Sequence, residues 1–176
     1  EVGIPNMANL YMTSPDGLGM IPGVAGTLVG AYWFLMLCGR LVGGAIGAKL
    51  SSRAMRTFVS SLASVFVLLG MFIPSNVTMS LLDAQVPVGM AFFVLCGLCT
   101  SIMWGAIFNL AVEGLGKYTS IASGLFMVMV CGGGLLPLLQ GFVADKAGYI
   151  PSYWVIIAAL AYTLWFALAG SKVNKK

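Results

Sequence analysis

The chain has 176 residues, of which 60% are apolar and only 8% charged, with nine Lys/Arg, five Asp/Glu and a mean hydropathy of +0.99. Soluble domains carry about 25% charged and about 45–50% apolar residues, so a water-soluble globule and a polar disordered chain are both excluded. The net charge of +4 comes from basic residues that form no stripe, which argues against a nucleic-acid-binding surface.

In chain order, residues 1–13 are apolar but too few to cross a bilayer, which takes about 20 residues. They are predicted to be the outer end of a helix that begins before the given sequence, interrupted by Pro5. The turn formers Ser14-Pro15-Asp16-Gly17 follow. Five segments then pass the length test, over residues 23–50, 55–73, 87–112, 121–143 and 151–170. Pro74-Ser75-Asn76 and the stretches 114–120 and 145–149 read as turns between them. Such long apolar runs lack the period-two alternation of a transmembrane β-barrel. The predicted fold is an all-α, polytopic transmembrane helix bundle.

With the short first segment counted as helix one, Lys49, Arg53 and Arg56 fall in the loop after helix two. Lys117 follows helix four, and Lys172, Lys175 and Lys176 follow helix six. Seven of nine basic residues thus share one side, which the positive-inside rule assigns to the cytoplasm together with the C-terminus. Asp16, Asp83 and the pair Asp145/Lys146 occupy the other side. There Asn76-Val77-Thr78 matches a glycosylation sequon, a triplet that arises often by chance. Cys38, Cys96, Cys99 and Cys131 all lie in apolar runs, so the C-x-x-C spacing of Cys96 and Cys99 reads as helix packing. The chain has no His; no metal, cofactor or enzymatic nucleophile–base pair is expected.

An internal echo divides the chain. Gly39-Arg-Leu-Val-Gly-Gly-Ala-Ile-Gly-Ala-Lys closes helix two, and Pro137-Leu-Leu-Gln-Gly-Phe-Val-Ala-Asp-Lys-Ala-Gly closes helix five. Setting Gly43 on Gly141 gives an offset of 98 residues. Residues 1–73 and 87–170 become two three-helix repeats, with 171–176 as a cytoplasmic tail. Three is odd, so the repeats take opposite topology, as in one six-helix half of a major facilitator transporter.

The run Ile107-Phe-Asn-Leu-Ala-Val-Glu-Gly-Leu-Gly116, then Thr119, Gly132-Gly-Gly-Leu-Leu-Pro137 and Gly141-Phe-Val-Ala-Asp145, resembles the last three helices of the bacterial fucose–galactose–hexose permeases. These are sugar symporters of the major facilitator superfamily. Gly39-Arg40-x-x-Gly43 and residues 1–11 resemble the eighth and seventh helices of that family. Gly105 stands where the family usually has proline, and the Asp common in its loop between helices eight and nine is missing from residues 43–53. The resemblance implies helices seven to twelve of a bacterial inner-membrane permease, the first of them truncated. It implies glucose, galactose, fucose or a similar hexose as substrate, and a proton or sodium ion as coupling partner. It also implies an N-terminal six-helix half that carries most of the acidic coupling residues.

Charged and amide side chains at membrane depth are costly, so each needs a reason. Arg40 either snorkels to the inner headgroups or forms an interior gating pair with Glu113. Gly39, Gly43 and Gly47 read as a packing stripe. Gly97, Ser101, Gly105 and Asn109 form another at i, i+4 spacing, which reads either as close packing or, with Trp104, as one wall of a sugar site. Sugar hydroxyls take amide and carboxylate hydrogen bonds, while the ring's C–H face takes an aromatic. Gly132, Gly133, Gly134 and Pro137 read as a hinge, with Gln140 toward the cavity or a neighbouring helix. Glu1, Asn6 and Asn9 complete the candidate substrate set, against the alternative that Glu1 only marks a cut end and the two Asn cap a terminus. The competing functional class is a membrane-embedded structural or assembly subunit without a substrate. A channel is disfavoured because no filter-like ring of acids or carbonyls is visible.

Overall fold

A computed structural model of the chain describes residues 1–47, 51–81, 84–112 and 114–170. The helices are α1 (Gly3–Thr13), α2 (Pro22–Gly47), α3 (Ser52–Phe72), α4 (Val88–Val112), α5 (Thr119–Met129), α6 (Gly132–Ala147) and α7 (Tyr149–Trp165). A π-helical turn, Phe166–Gly170, ends the described chain. By length and composition five segments can cross a membrane: α2, α3, α4, the combined α5–α6 stretch and α7 with its π turn. The all-α polytopic bundle is therefore observed. α2, with 26 residues, is about 39 Å long, enough to cover a hydrocarbon core of about 30 Å. α1 has 11 residues and does not.

Three details depart from the sequence reading. First, the segment after α3 is not all loop: β1 (Thr78–Leu81) and β2 (Ala84–Pro87) pair antiparallel, with Thr78 opposite Pro87 and Leu81 opposite Ala84. Second, Pro5 does not interrupt α1. It lies in the first turn, where its missing N–H has no intrahelical acceptor to lose. Third, Pro137 sits inside α6, and the break in the fifth span falls earlier, at Val130–Cys131. There the backbone tightens to i→i−3 bonds, as from Cys131 N to Val128 O at 3.2 Å and from Gly133 N to Val130 O at 2.8 Å.

Close backbone approach at glycines fixes how α2, α3 and α4 stack. A β-carbon at Gly97 would collide with Tyr32 O, and one at Gly39 would meet Ser101 Oγ and Leu98 O. Gly43 rests on Ile102 in the same way, so Gly39 and Gly43 do form a packing stripe. Between α3 and α4, Gly70 lies against the Phe93 ring and Gly89 against Gly70 O. The Phe93 ring stacks on Tyr153 of α7, centroids 4.2 Å apart and 12° from parallel. Tyr153 Oη donates to Ile4 O at 2.9 Å, which ties α7 to α1. Cys96 and Cys99 are free and buried in this core. Gly148, at φ +96°, makes the reversal between α6 and α7 that a β-carbon would strain.

Arg56 belongs to α3 and not to the loop before it. Ser51 Oγ caps that helix by accepting from Ala54 N at 3.2 Å, so Arg56 falls in the second turn, 2% exposed. A charge so placed costs on the order of 2.5–3.5 kcal/mol on insertion scales unless it is compensated.

Candidate functional site

Two adjoining cavities lie beside the start of α1. The larger, about 640 Å³, is lined by Glu1, Arg40, Ser101, Trp104, Gly105 and Asn109, with Gly43, Gly44 and Met55 among its walls. The smaller, about 230 Å³, lies between α1, α4, α6 and α7 and is lined by Thr100, Gly132, Gly133 and Pro137, among others. Glu1 and Trp104 face both.

Arg40 Nη2 donates to Glu1 Oε1 at 3.3 Å. The same nitrogen lies 3.8 Å from Met36 Sδ, one turn back on α2. The side chains are 58% and 27% exposed, so the pair contributes little stability, about 0–1 kcal/mol. The backbone beneath is held more firmly. Tyr32 Oη donates to Glu1 O at 2.9 Å and lies 3.0 Å from Thr100 Oγ1, which bonds Cys96 O at 3.0 Å. A buried hydroxyl relay from α4 through α2 thus fixes where Glu1 stands. Glu113, the partner expected for Arg40, lies outside the described residues, as do Lys49, Asp83, Lys172, Lys175 and Lys176.

The stripe on α4 divides in two. Gly97 and Ser101 are buried against α2, whereas Gly105 and Asn109 are exposed and line the larger cavity. Gly105 has open space where a side chain would be, so the lack of one widens this wall. Trp104, 41% exposed, stacks on Phe108 with centroids 5.9 Å apart and 2° from parallel. Phe126 of α5 meets both rings edge-on, at 5.9 and 5.4 Å. This aromatic group is a main contact holding α5 to α4.

The other expected residues are more dispersed. Asn6 lies on the exposed face of α1 with Val2 and Leu10, while Asn9 is half-buried and its carbonyl accepts from Thr13 Oγ1 at 2.8 Å. Neither lines the two cavities. Gln140 is fully buried against the α1 backbone at Gly3, with Oε1 and Nε2 lacking hydrogen-bond partners. Gly132, Gly133 and Gly134 have open space around them, so no close helix contact demands glycine there. Sequence reasoning missed Tyr32 and Thr100. The available signal was a hydroxyl within each apolar run, the same signal that singled out the amides.

A glucose/galactose transporter of Brucella abortus is 27% identical over 172 residues, 98% of this chain and 39% of that protein. A putative glucose/galactose transporter of Helicobacter pylori is 31% identical over 146 residues, 80% of this chain and 33% of the relative. The L-fucose–proton symporter of Escherichia coli is 35% identical over 82 residues, 47% of this chain and 18% of the symporter. The chain thus spans about two fifths, 39%, of the Brucella relative's length, which fits one half of such a permease. No protein-family model and no solved structure matches it. Similarity to transporters over up to 98% of this chain and five candidate spans converge on one assignment: the chain belongs to the sugar permease family of these glucose/galactose transporters and the fucose symporter.

Proposed function

We propose that the chain is the C-terminal half of a sugar symporter of the bacterial inner membrane, with its C-terminus in the cytoplasm. A hexose or deoxyhexose sits between this bundle and an N-terminal six-helix half, and 1–73 and 87–170 act as inverted repeats. The observation that carries this reading is the cavity of about 640 Å³ in which a carboxylate–guanidinium pair, an indole and an amide meet. Glu1, Arg40 and Asn109 offer acceptors and donors to hydroxyls, and Trp104 offers an apolar plate to the ring. Because the Arg40–Glu1 pair is weak and partly exposed, exchanging one of its partners for a sugar hydroxyl costs little. Asn6, Asn9 and Gln140 join the site as the bundles rock, and the Val130–Gly134 region bends to let them do so. The names of the relatives support a monosaccharide as substrate and a proton as the coupling ion, with sodium the alternative.

Uptake by the intact permease in proteoliposomes, with labelled glucose, galactose and fucose and with ionophores that collapse each gradient, tests this reading. Saturable uptake of at least one sugar, abolished by a protonophore, is expected. The 176-residue chain alone should not transport, since alternating access needs a second bundle. A folded permease that moves none of the sugars would favour the assembly-subunit reading.

A further inference from the structure

Arg56 is a buried charge without an ion-pair partner among the described residues. Its Nε and Nη1 are buried without a hydrogen-bond partner, and among the described residues no carboxylate pairs with it. The Phe166 ring lies over its guanidinium, with 4.7 Å from Cζ to the centroid, and Tyr162 acts on its charge electrostatically. Arginine stays protonated inside proteins, so neutralisation cannot relieve the burial. One turn further along α3, Ser60 Oγ is also fully buried and also without a partner. Its i+4 spacing puts it on the same face of the helix as Arg56. A guanidinium with idle N–H donors beside an idle hydroxyl is suited to a tetrahedral oxyanion, which takes several charge-assisted hydrogen bonds at once.

A groove flanks this position. It is lined by Ser51, Arg53, Thr57, Phe58 and Leu168, among others. Ser51 and Arg53 lie at the start of α3, the Thr57 and Ser61 hydroxyls follow one and two turns along it, and Phe58 and Leu168 are exposed apolar side chains. A groove that sets hydroxyls and a guanidinium beside exposed apolar side chains can take the headgroup and the chains of a phospholipid together. Leu168 and Phe166 belong to the same π-helical turn, so the segment that covers Arg56 also forms one wall of the groove. Such turns often mark functional positions in helices.

We propose that Arg56 and Ser60 form a phosphate site for an anionic phospholipid, entered from this groove when Phe166 moves off the guanidinium. The Lys/Arg count assigns this end of the bundle to the cytoplasm, where the leaflet carries anionic lipid. The site is separate from the sugar cavity, so its failure and that of the transport reading are independent.

The test is native mass spectrometry of the full chain from micelles doped with phosphatidylglycerol or phosphatidylcholine. Arg56→Gln, Arg56→Lys and Ser60→Ala run in parallel, with far-UV circular dichroism as the control for folding. The wild-type chain should hold phosphatidylglycerol at least about fivefold more tightly than phosphatidylcholine. Arg56→Gln should lose that preference, Ser60→Ala should weaken it, and Arg56→Lys should keep part of it. An unchanged preference in folded Arg56→Gln overturns the site. Displacement of the lipid by millimolar inorganic phosphate overturns the lipid source and assigns the pocket to the free anion. Should Arg56→Gln fail to fold, an unchanged preference in folded Ser60→Ala overturns the proposal instead.

Discussion

Arg40 of α2 and Glu1, 39 residues apart in sequence, meet at 3.3 Å in the wall of the larger cavity. The contact is weak, yet the ground beneath it is rigid, because Tyr32 holds the Glu1 carbonyl and Thr100 supports Tyr32. A loose pair on a fixed base suits a group that must change partners.

Coupling between the two residues is therefore expected in transport more than in folding. In the intact permease Arg40→Ala and Glu1→Gln should each slow uptake, and the double variant should be less than additive, with an interaction of about 0.5–1 kcal/mol. A parallel cycle with Glu113→Ala tests whether Arg40 trades Glu1 for Glu113 in another state. Fully additive effects in both cycles would return Arg40 to simple snorkelling. Initial uptake rates, corrected for expression, supply the measurement.

The glycines should separate into two kinds. Gly97→Ala drives a methyl group into Tyr32 O, so it should destabilise the bundle by about 1–3 kcal/mol and displace the hydroxyl that holds Glu1. Gly133→Ala meets open space and gains helix propensity of up to about 1 kcal/mol. Its expected cost is functional: a stiffer Val130–Gly134 region should lower the turnover rate while thermal stability holds or rises. Thermal unfolding followed alongside uptake separates the two, and a Gly133→Ala permease with full turnover would remove the hinge role.

What the sequence disclosed was what a bilayer imposes. Apolar length alone locates the spans, and α2, α3, α4 and α7 begin within three residues of their expected starts. The glycine run marked the weak point of the fifth span within two residues, but Pro137 drew the expected break too far along. Proline removes a bond only to the Gly133 carbonyl, and α6 carries that loss without ending. The hairpin was illegible because four-residue strands such as Thr78–Leu81 carry too little alternation to register. The contact of Glu1 with Arg40 was illegible for a different reason: Glu1 comes beside it only when α1 packs on α2. Arg56 was misread because a charge suggests solvent, although Ser51 begins the helix five residues before it.

Orientation can be tested directly. Lys117 stands beside the short turn before α5, whereas Lys146 lies in the last turn of α6, at the opposite end of the same span. In a permease freed of its cysteines, Lys117→Cys should react with an impermeant maleimide only from the cytoplasmic face and Lys146→Cys only from the outer face. Reaction of both from outside would reverse the conclusion drawn from the basic residues.

Trp104 offers the sharpest test of where sugar binds. Phe108 lies parallel to its ring and Phe126 stands at 77° to it, yet 41% of the residue remains exposed, and it lines the two cavities that it shares with Glu1. The indole lines the larger cavity together with the Glu1 carboxylate, the guanidinium of Arg40 and the amide of Asn109. A sugar ring laid there would gain about 0.5–1.5 kcal/mol from the aromatic contact, which corresponds to a 2- to 12-fold change in affinity. Trp104→Ala should therefore raise the Kd for the transported sugar by roughly that factor or more, and Trp104→Phe should recover part of the loss. Because Trp104 also joins α4 to α5, the alanine variant must be compared with Phe126→Ala, which loosens the same joint but keeps the indole. Equal losses in sugar affinity for Trp104→Ala and Phe126→Ala, measured by equilibrium binding to the intact permease, would make the indole a packing residue and move the sugar elsewhere in the cavity.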